Sequence, residues 1–381
     1  MGPRPLRYRC DSPGPGDVWF ERCSGPDQPR AVLVGCGRLD FARMEIFGAA
    51  LLAFILSFGF TAYLVRPGAR LRWLDHPNER SLHRVAVPRT GGLAIVAGIG
   101  GGSLLSGMLL GPPTWWPWLM GSAALVLLVA ILDDRRGLGI LPRLVVHLVA
   151  GAALLGSGLL PDVADLMGSL LPIPGWALSA VILLFVVWMV NLYNFMDGMD
   201  GFAAGMAVLG FGCMAFLGWR AEAGFFAAVN LSIAMASAGF LLFNFPPARI
   251  FMGDAGASLL GFLAAASILW ANQQSVFPFW AGVLIFSPFI VDATATLVGR
   301  MWAREKFWLP HRQHCYQRLV RSGWSHRRTT LAGYLLMSLV GGTSIWLVEK
   351  GTGHQAVLAM ALWTVIYAIL VVWISRTAVR T

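Results

Sequence analysis

Trp176-Ala-Leu-Ser-Ala-Val-Ile-Leu-Leu-Phe-Val-Val-Trp-Met-Val-Asn-Leu-Tyr-Asn-Phe-Met-Asp-Gly-Met-Asp-Gly201 is the stretch that decides the fold. No charged residue occurs from Trp176 to Met196, and then two Asp follow three residues apart, at Asp197 and Asp200. Crossing a bilayer takes about 20 consecutive apolar residues in a helix. The segment therefore reads as a membrane span that delivers carboxylates to one surface.

The same pattern extends in both directions. Apolar runs predict helices at 46–65, 90–110, 117–132, 144–160, 176–193, 201–219, 223–243, 255–270, 279–298, 331–348 and 355–375. The expectation is an all-α integral membrane protein with about eleven transmembrane helices. Composition agrees: 57% of the 381 residues are hydrophobic and 13% charged, whereas soluble domains carry about 25% charge. Trp115, Trp116 and Trp118 at a run end suit an interfacial belt. Five Cys show no metal or disulfide spacing and receive no role.

Net charge is +10, and every basic residue but Lys306 and Lys350 is Arg. Nucleic acid is not the implied partner, because the Arg residues fall in alternate loops. One set of loops and the C-terminal tail hold twenty Lys and Arg; the opposite set holds only Arg220 and Lys350. The positive-inside rule makes the first set cytoplasmic. With eleven spans the C-terminus is cytoplasmic and the first span begins outside. Residues 1–43 break the pattern with seven Arg and no apolar period. Our reading is that Met44 is the natural start and 1–43 an upstream extension, the alternative being a disordered tail. Residues 44–381 then form one multipass domain.

Carboxylates are scarce, so their placement is informative. Asp133 and Asp134 end the third span, Asp197 and Asp200 the fifth, Asp254 lies between the seventh and eighth, and Asp292 is in the ninth. All six fall on the Arg-rich side, although orientation was read from Lys and Arg alone. A paired Asp at a helix end is ordinarily a solvated terminus. Asp197 and Asp200 share a helical face, where like charges are unfavourable without a cation. An intramembrane Asp292 faces a cavity or an ion-pair partner. Hard cations such as Mg²⁺ (or Mn²⁺) take oxygen ligands, typically one or two carboxylates with substrate phosphates. Arg in the neighbouring loops, including Arg84, Arg143, Arg249 and Arg312, suits phosphate oxygens. Acid, metal and arginine together describe phosphoryl transfer. A loop at 299–330 also gathers His311, His314 and His326.

Five segments in order resemble the polyprenyl-phosphate N-acetylhexosamine-1-phosphate transferases. They are Asp75-His-Pro-Asn-Glu-Arg-Ser-Leu-His83 with Pro88-Arg-Thr-Gly-Gly92, Leu132-Asp-Asp134, Asn191–Gly201, Asn244-Phe-Pro-Pro247 with Phe251-Met-Gly-Asp254, and Pro310-His-Arg-Gln-His-Cys-Tyr-Gln-Arg-Leu319. The resemblance implies a bacterial cytoplasmic-membrane enzyme with its active site facing the cytoplasm. It would transfer sugar-1-phosphate from a UDP-N-acetylhexosamine to polyprenyl (undecaprenyl) phosphate, giving polyprenyl-diphospho-sugar and UMP. It also implies Mg²⁺, with Asp197 as metal ligand and Asp254 beside metal and nucleotide sugar. Asp133 and Asp134 would lie next to the lipid phosphate and His314 at the diphosphate or sugar. Asn194 and Asp200 would stand behind the metal and at the uracil; apart from the resemblance, Asp292 is taken as a substrate-binding candidate. Arg143 stands where the family usually has Lys after the Asp pair. Tyr316 and Gln317 replace a His cluster, which favours the branch that starts O-antigen or exopolysaccharide chains over phospho-MurNAc-pentapeptide transfer. A secondary transporter is the rival from another class, although transporters place ion sites near the midplane. Monomer and homodimer both stay open.

Overall fold

The computed structural model describes residues 36–71, 73–75, 86–159, 174–306 and 311–378, with side chains from Met44 onward. The body Glu45–Thr381 is one compact unit, and Met1–Met44 is a separate one. The helices are α1 (Cys36–Leu64), α2 (Gly91–Leu110), α3 (Trp116–Arg136), α4 (Ile140–Gly156), α5 (Gly175–Met196), α6 (Phe202–Arg220) and α7 (Gly224–Asn244). There follow α8 (Gly253–Gln273), α9 (Phe279–Ile285), α10 (Ser287–Trp302), α11 (Cys315–Arg321), α12 (His326–Lys350) and α13 (Gly353–Ala378). Strands β1 (Leu74–Asp75) and β2 (Val87–Pro88) form a two-residue antiparallel ladder.

The all-α expectation holds, and each expected span corresponds to helix. Among the described residues, nine helices are long and apolar enough to cross a membrane. The tenth segment is the pair α9 and α10, bent by 75° at Phe286. Ser287-Pro288 opens the second half, and Pro both lacks an N–H and clashes with the preceding turn, so the apolar run does not continue as one rod. The eleventh, α4, has only 17 residues and starts at Ile140 instead of 144. Pro142 lies in its first turn, where Pro is tolerated. Helix α12 starts at His326 instead of 331, because Ser325 accepts a hydrogen bond from the Arg328 N–H at 3.2 Å and caps a polar first turn.

Helix α8 is the axis of the bundle: 94% of its apolar window is buried, against 11% for α13. It is surrounded by α2, α3 and α5. A Cβ on Gly92 would land on the Gly256 backbone, so α2 and α8 cross in backbone contact. At the end away from the carboxylates, Trp115 and Trp116 are half-buried and pack against Trp270 and Phe225 with centroids 5.1 and 5.0 Å apart. Trp118 alone of the expected belt is strongly exposed, at 59%.

Candidate active site

The ends of α3 and α5 and the starts of α4 and α8 meet, and their sequences explain how. The chain leaves α3 through Gly137 in a left-handed conformation (φ 63°), whose N–H returns to the Asp133 carbonyl at 2.8 Å. Three residues later α4 begins and brings Arg143 back over the end of α3. Its Nη1 is 2.5 Å from Asp133 Oδ2 and 3.6 Å from Asp254 Oδ2, so one guanidinium nitrogen joins two helices' carboxylates. Asp133 also accepts the Leu138 N–H at 2.6 Å.

Asp134 is buried and turned toward α8. It accepts the N–H groups of Asp254 (3.3 Å) and Ala255 (3.0 Å), which are unpaired donors of that helix's first turn. Arg89 closes the other side: its guanidinium donates to the Asp134 carbonyl, and Nε lies 3.9 Å from Oδ1. The Arg89 segment is itself threaded onto the approach to α8, with Phe251 N–H on the Pro88 carbonyl (2.7 Å), Gly91 N–H on Phe251 (2.9 Å) and Gly92 N–H on Met252 (2.7 Å). Gly253 adopts φ 74°, and a Cβ there would sit 2.5 Å from the Arg89 carbonyl. Only glycine fits both conditions.

Asp197 is the residue that ends α5, and it accepts a hydrogen bond from the Gly253 N–H. Burial, then the charges of Asp254 and Asp134, hold its carboxyl well above the usual carboxylate range. Four carboxylates thus gather beside Arg89 and Arg143. Among the described residues, no three His, Cys, Asp or Glu side chains are arranged to hold a metal ion alone. A buried carboxylate pushed toward its neutral form by acidic neighbours is nevertheless the electrostatic setting a divalent cation relieves. Mg²⁺ needs only one or two protein carboxylates when phosphates complete its shell. The residues fit that ion.

A family model described as "Glycosyl transferase family 4" matches residues 116–272, the segment from α3 to α8 that supplies these four carboxylates. The chain is 28% identical over 308 residues to the "Probable undecaprenyl-phosphate N-acetylglucosaminyl 1-phosphate transferase" of Bacillus subtilis (strain 168), covering 78% of this chain and 84% of that protein. It is 29% identical over 333 residues to the "Decaprenyl-phosphate N-acetylglucosaminephosphotransferase" of Mycobacterium tuberculosis (strain CDC 1551 / Oshkosh), with 78% and 81% covered. It is 27% identical over 296 residues to the "Undecaprenyl-phosphate alpha-N-acetylglucosaminyl 1-phosphate transferase" of Yersinia pestis, with 74% and 80% covered.

Over residues 116–272 the chain is similar to glycosyl transferase family 4.

Outside the matched segment, a second cluster lies at α10 and α11. Asp292 is buried, and its Oδ1 accepts the Cys315 N–H at 2.8 Å and the Thr296 hydroxyl at 3.3 Å. Oδ2 accepts the Tyr316 N–H at 3.4 Å, and His314 Nδ1 lies 3.5 Å from Oδ1. Asp292, expected among the substrate-binding residues, thus accepts the N–H groups that open α11 and lies beside His314. His314 is buried and stacks with Phe195 and Tyr316. The Tyr316 hydroxyl reaches the Phe195 carbonyl at 3.0 Å and passes over Gly198, where a Cβ would collide with it. Tyr316 therefore joins the His loop to the segment that ends in Asp197, a link the motif comparison did not expose. Burial, then the charges of His314 and Arg300, pull His311 down to about 4, leaving it neutral at physiological pH.

The remaining candidates are dispersed. Asp200 accepts the Ala248 N–H at 3.1 Å and meets His326 Nδ1 at 3.4 Å, while its carbonyl accepts the Thr330 hydroxyl. Asn194 is half-buried in the last turn of α5, and its carbonyl accepts the Asp197 N–H. Arg249 is exposed and stacks on Phe243 at 4.7 Å. Arg312 is half-buried in the His loop. Arg84 lies outside the described residues. Arg89, absent from the sequence candidates, is drawn into the carboxylate cluster by its backbone; its signal was the motif Pro88-Arg-Thr-Gly-Gly92.

Proposed function

We propose that this membrane transferase moves N-acetylhexosamine-1-phosphate from a UDP-sugar to polyprenyl phosphate, releasing UMP and forming polyprenyl-diphospho-sugar. The observation that carries the reading is the meeting of Asp133, Asp134, Asp197 and Asp254 with Arg89 and Arg143 at one end of a membrane bundle. The names of the relatives make UDP-N-acetylglucosamine the first donor to test. The Arg distribution favours a bacterial cytoplasmic membrane with this end facing the cytoplasm.

Asp197 and Asp254 would hold Mg²⁺, which supplies charge neutralisation across the diphosphate. Arg143 keeps Asp133 and Asp254 in register. Asp134 holds the first turn of α8 and so fixes where Asp254 stands. The lipid phosphate, with a second pKa near 6, is largely dianionic at neutral pH. It needs positioning more than deprotonation, and an aspartyl nucleophile is not required. His314, 3.5 Å from Asp292 and stacked on Phe195, presents an imidazole beside the segment that carries Asp197. Purified protein with labelled UDP-N-acetylglucosamine and related donors, polyprenyl phosphate and Mg²⁺ should yield UMP and a lipid-linked diphospho-sugar. Absence of UMP release with every donor would refute the reading.

A further inference from the structure

Two cavities adjoin at α11. The first is an apolar groove of about 320 Å³ between α10, α12 and α13, lined by Leu336, Leu339, Leu370 and Trp373 among others. The second, of about 300 Å³, is polar and lies between the ends of α10 and α13, with Arg300 and Arg318 in its wall. Cys315 and Val371 line both, so only these side chains lie between the groove and the polar pocket where they share a wall. None of the four clustered carboxylates lines either cavity.

The polar pocket carries unspent positive charge. Arg300 is only 7% exposed; its Nη1 pairs with Glu305 at 2.9 Å and its Nη2 donates to the Lys306 carbonyl, but its Nε has no partner. Arg318 donates only to neutral acceptors, the Gln313 carbonyl (2.7 Å) and the Ser375 hydroxyl (3.0 Å). Among the described residues that line the polar pocket, Arg300 and Arg318 face one carboxylate, Glu305, while Asp292 lines the adjoining groove. A buried guanidinium N–H without an acceptor is costly, and phosphate oxygens are the acceptors guanidinium best fits. The groove beside it faces outward along α13, whose helix is 11% buried, with Leu335 and Leu339 63% and 54% exposed.

We propose that these cavities together form a binding site for an anionic phospholipid of the bilayer, with its phosphate between Arg300 and Arg318 and one acyl chain in the groove. The pocket supplies charge complementarity, and the outward-facing groove is open to bulk lipid. Because Arg318 belongs to α11 and Ser375 to α13, a seated phosphate clamps the His loop against the last helix.

The test is binding, and it does not depend on the transfer reaction. Delipidated protein is titrated with phosphatidylglycerol, phosphatidylcholine or inorganic phosphate, and bound lipid is counted by native mass spectrometry alongside Tm. Phosphatidylglycerol should be retained and raise Tm; phosphatidylcholine and phosphate should not. Arg318→Gln should weaken phosphatidylglycerol retention by about tenfold, while Arg321→Gln, an exposed change on the same helix, should not. Val371→Trp adds bulk at the shared wall of the cavities without touching an Arg, and should abolish retention even if Arg318→Gln fails to fold. Equal retention of both lipids, an equal shift from inorganic phosphate, displacement by stoichiometric polyprenyl phosphate, or full retention in Val371→Trp would each overturn the proposal.

Discussion

Asp292→Asn separates positioning from chemistry. The carboxylate now accepts the Cys315 and Tyr316 N–H groups through different oxygens, at 2.8 and 3.4 Å. Asn keeps the shape but offers one oxygen, and its amide would face a backbone donor. One charge-assisted hydrogen bond to a buried group is lost, about 2 kcal/mol. If that loss falls wholly on holding α11 and His314 in place, turnover drops by about 30-fold. The assay is UMP release at saturating donor and lipid phosphate, with Mg²⁺ titrated separately. The Mg²⁺ concentration for half activity should not move, because Asp292 touches the His loop and none of the four clustered carboxylates. His314→Ala should show the same pattern. A shifted Mg²⁺ requirement in Asp292→Asn would place this residue at the metal, and unchanged turnover would deny that the His loop matters; either result refutes the reasoning.

Asp197→Asn should leave a folded protein with turnover reduced at least a hundredfold, since the neutral amide is a poor ligand for a hard cation; near-normal activity at high Mg²⁺ would remove Asp197 from the metal site. The raised pKa of Asp197 means that, between the usual carboxylate range and its raised value, the folded metal-free protein holds a proton the unfolded chain has released. Stability without metal should therefore fall as pH rises through that window, while Mg²⁺ affinity rises with pH because the metal displaces the proton; Tm profiles with and without Mg²⁺ check both signs. Gly253→Ala forces a side chain into φ 74° and against the Arg89 carbonyl, so it should cost about 2 kcal/mol or more and lower Tm measurably. A wild-type Tm would show that the turn before α8 is relaxed.

Much of the fold is legible in the chain because lipid imposes a one-dimensional rule. Every spanning segment must satisfy its own backbone hydrogen bonds and be apolar for about 20 residues, so runs such as 176–193 announce themselves. The same scarcity of charge makes Asp133, Asp134, Asp197 and Asp254 conspicuous. What each carboxylate does was not legible, because it depends on which N–H or guanidinium the packing brings to it. Asp133 and Asp134 are adjacent in sequence, yet one pairs with Arg143 and the other holds the start of α8. That α11 hangs from Asp292 is likewise invisible in the chain, because the Cys315 N–H lies 23 residues away. The bend at Phe286 turns on one Ser-Pro step within an apolar run. Composition and periodicity are properties of the chain alone and determine where helices form and which surface collects charge; hydrogen-bond partners are set by contacts between residues as distant as Asp134 and Ala255, and only the packed bundle decides those.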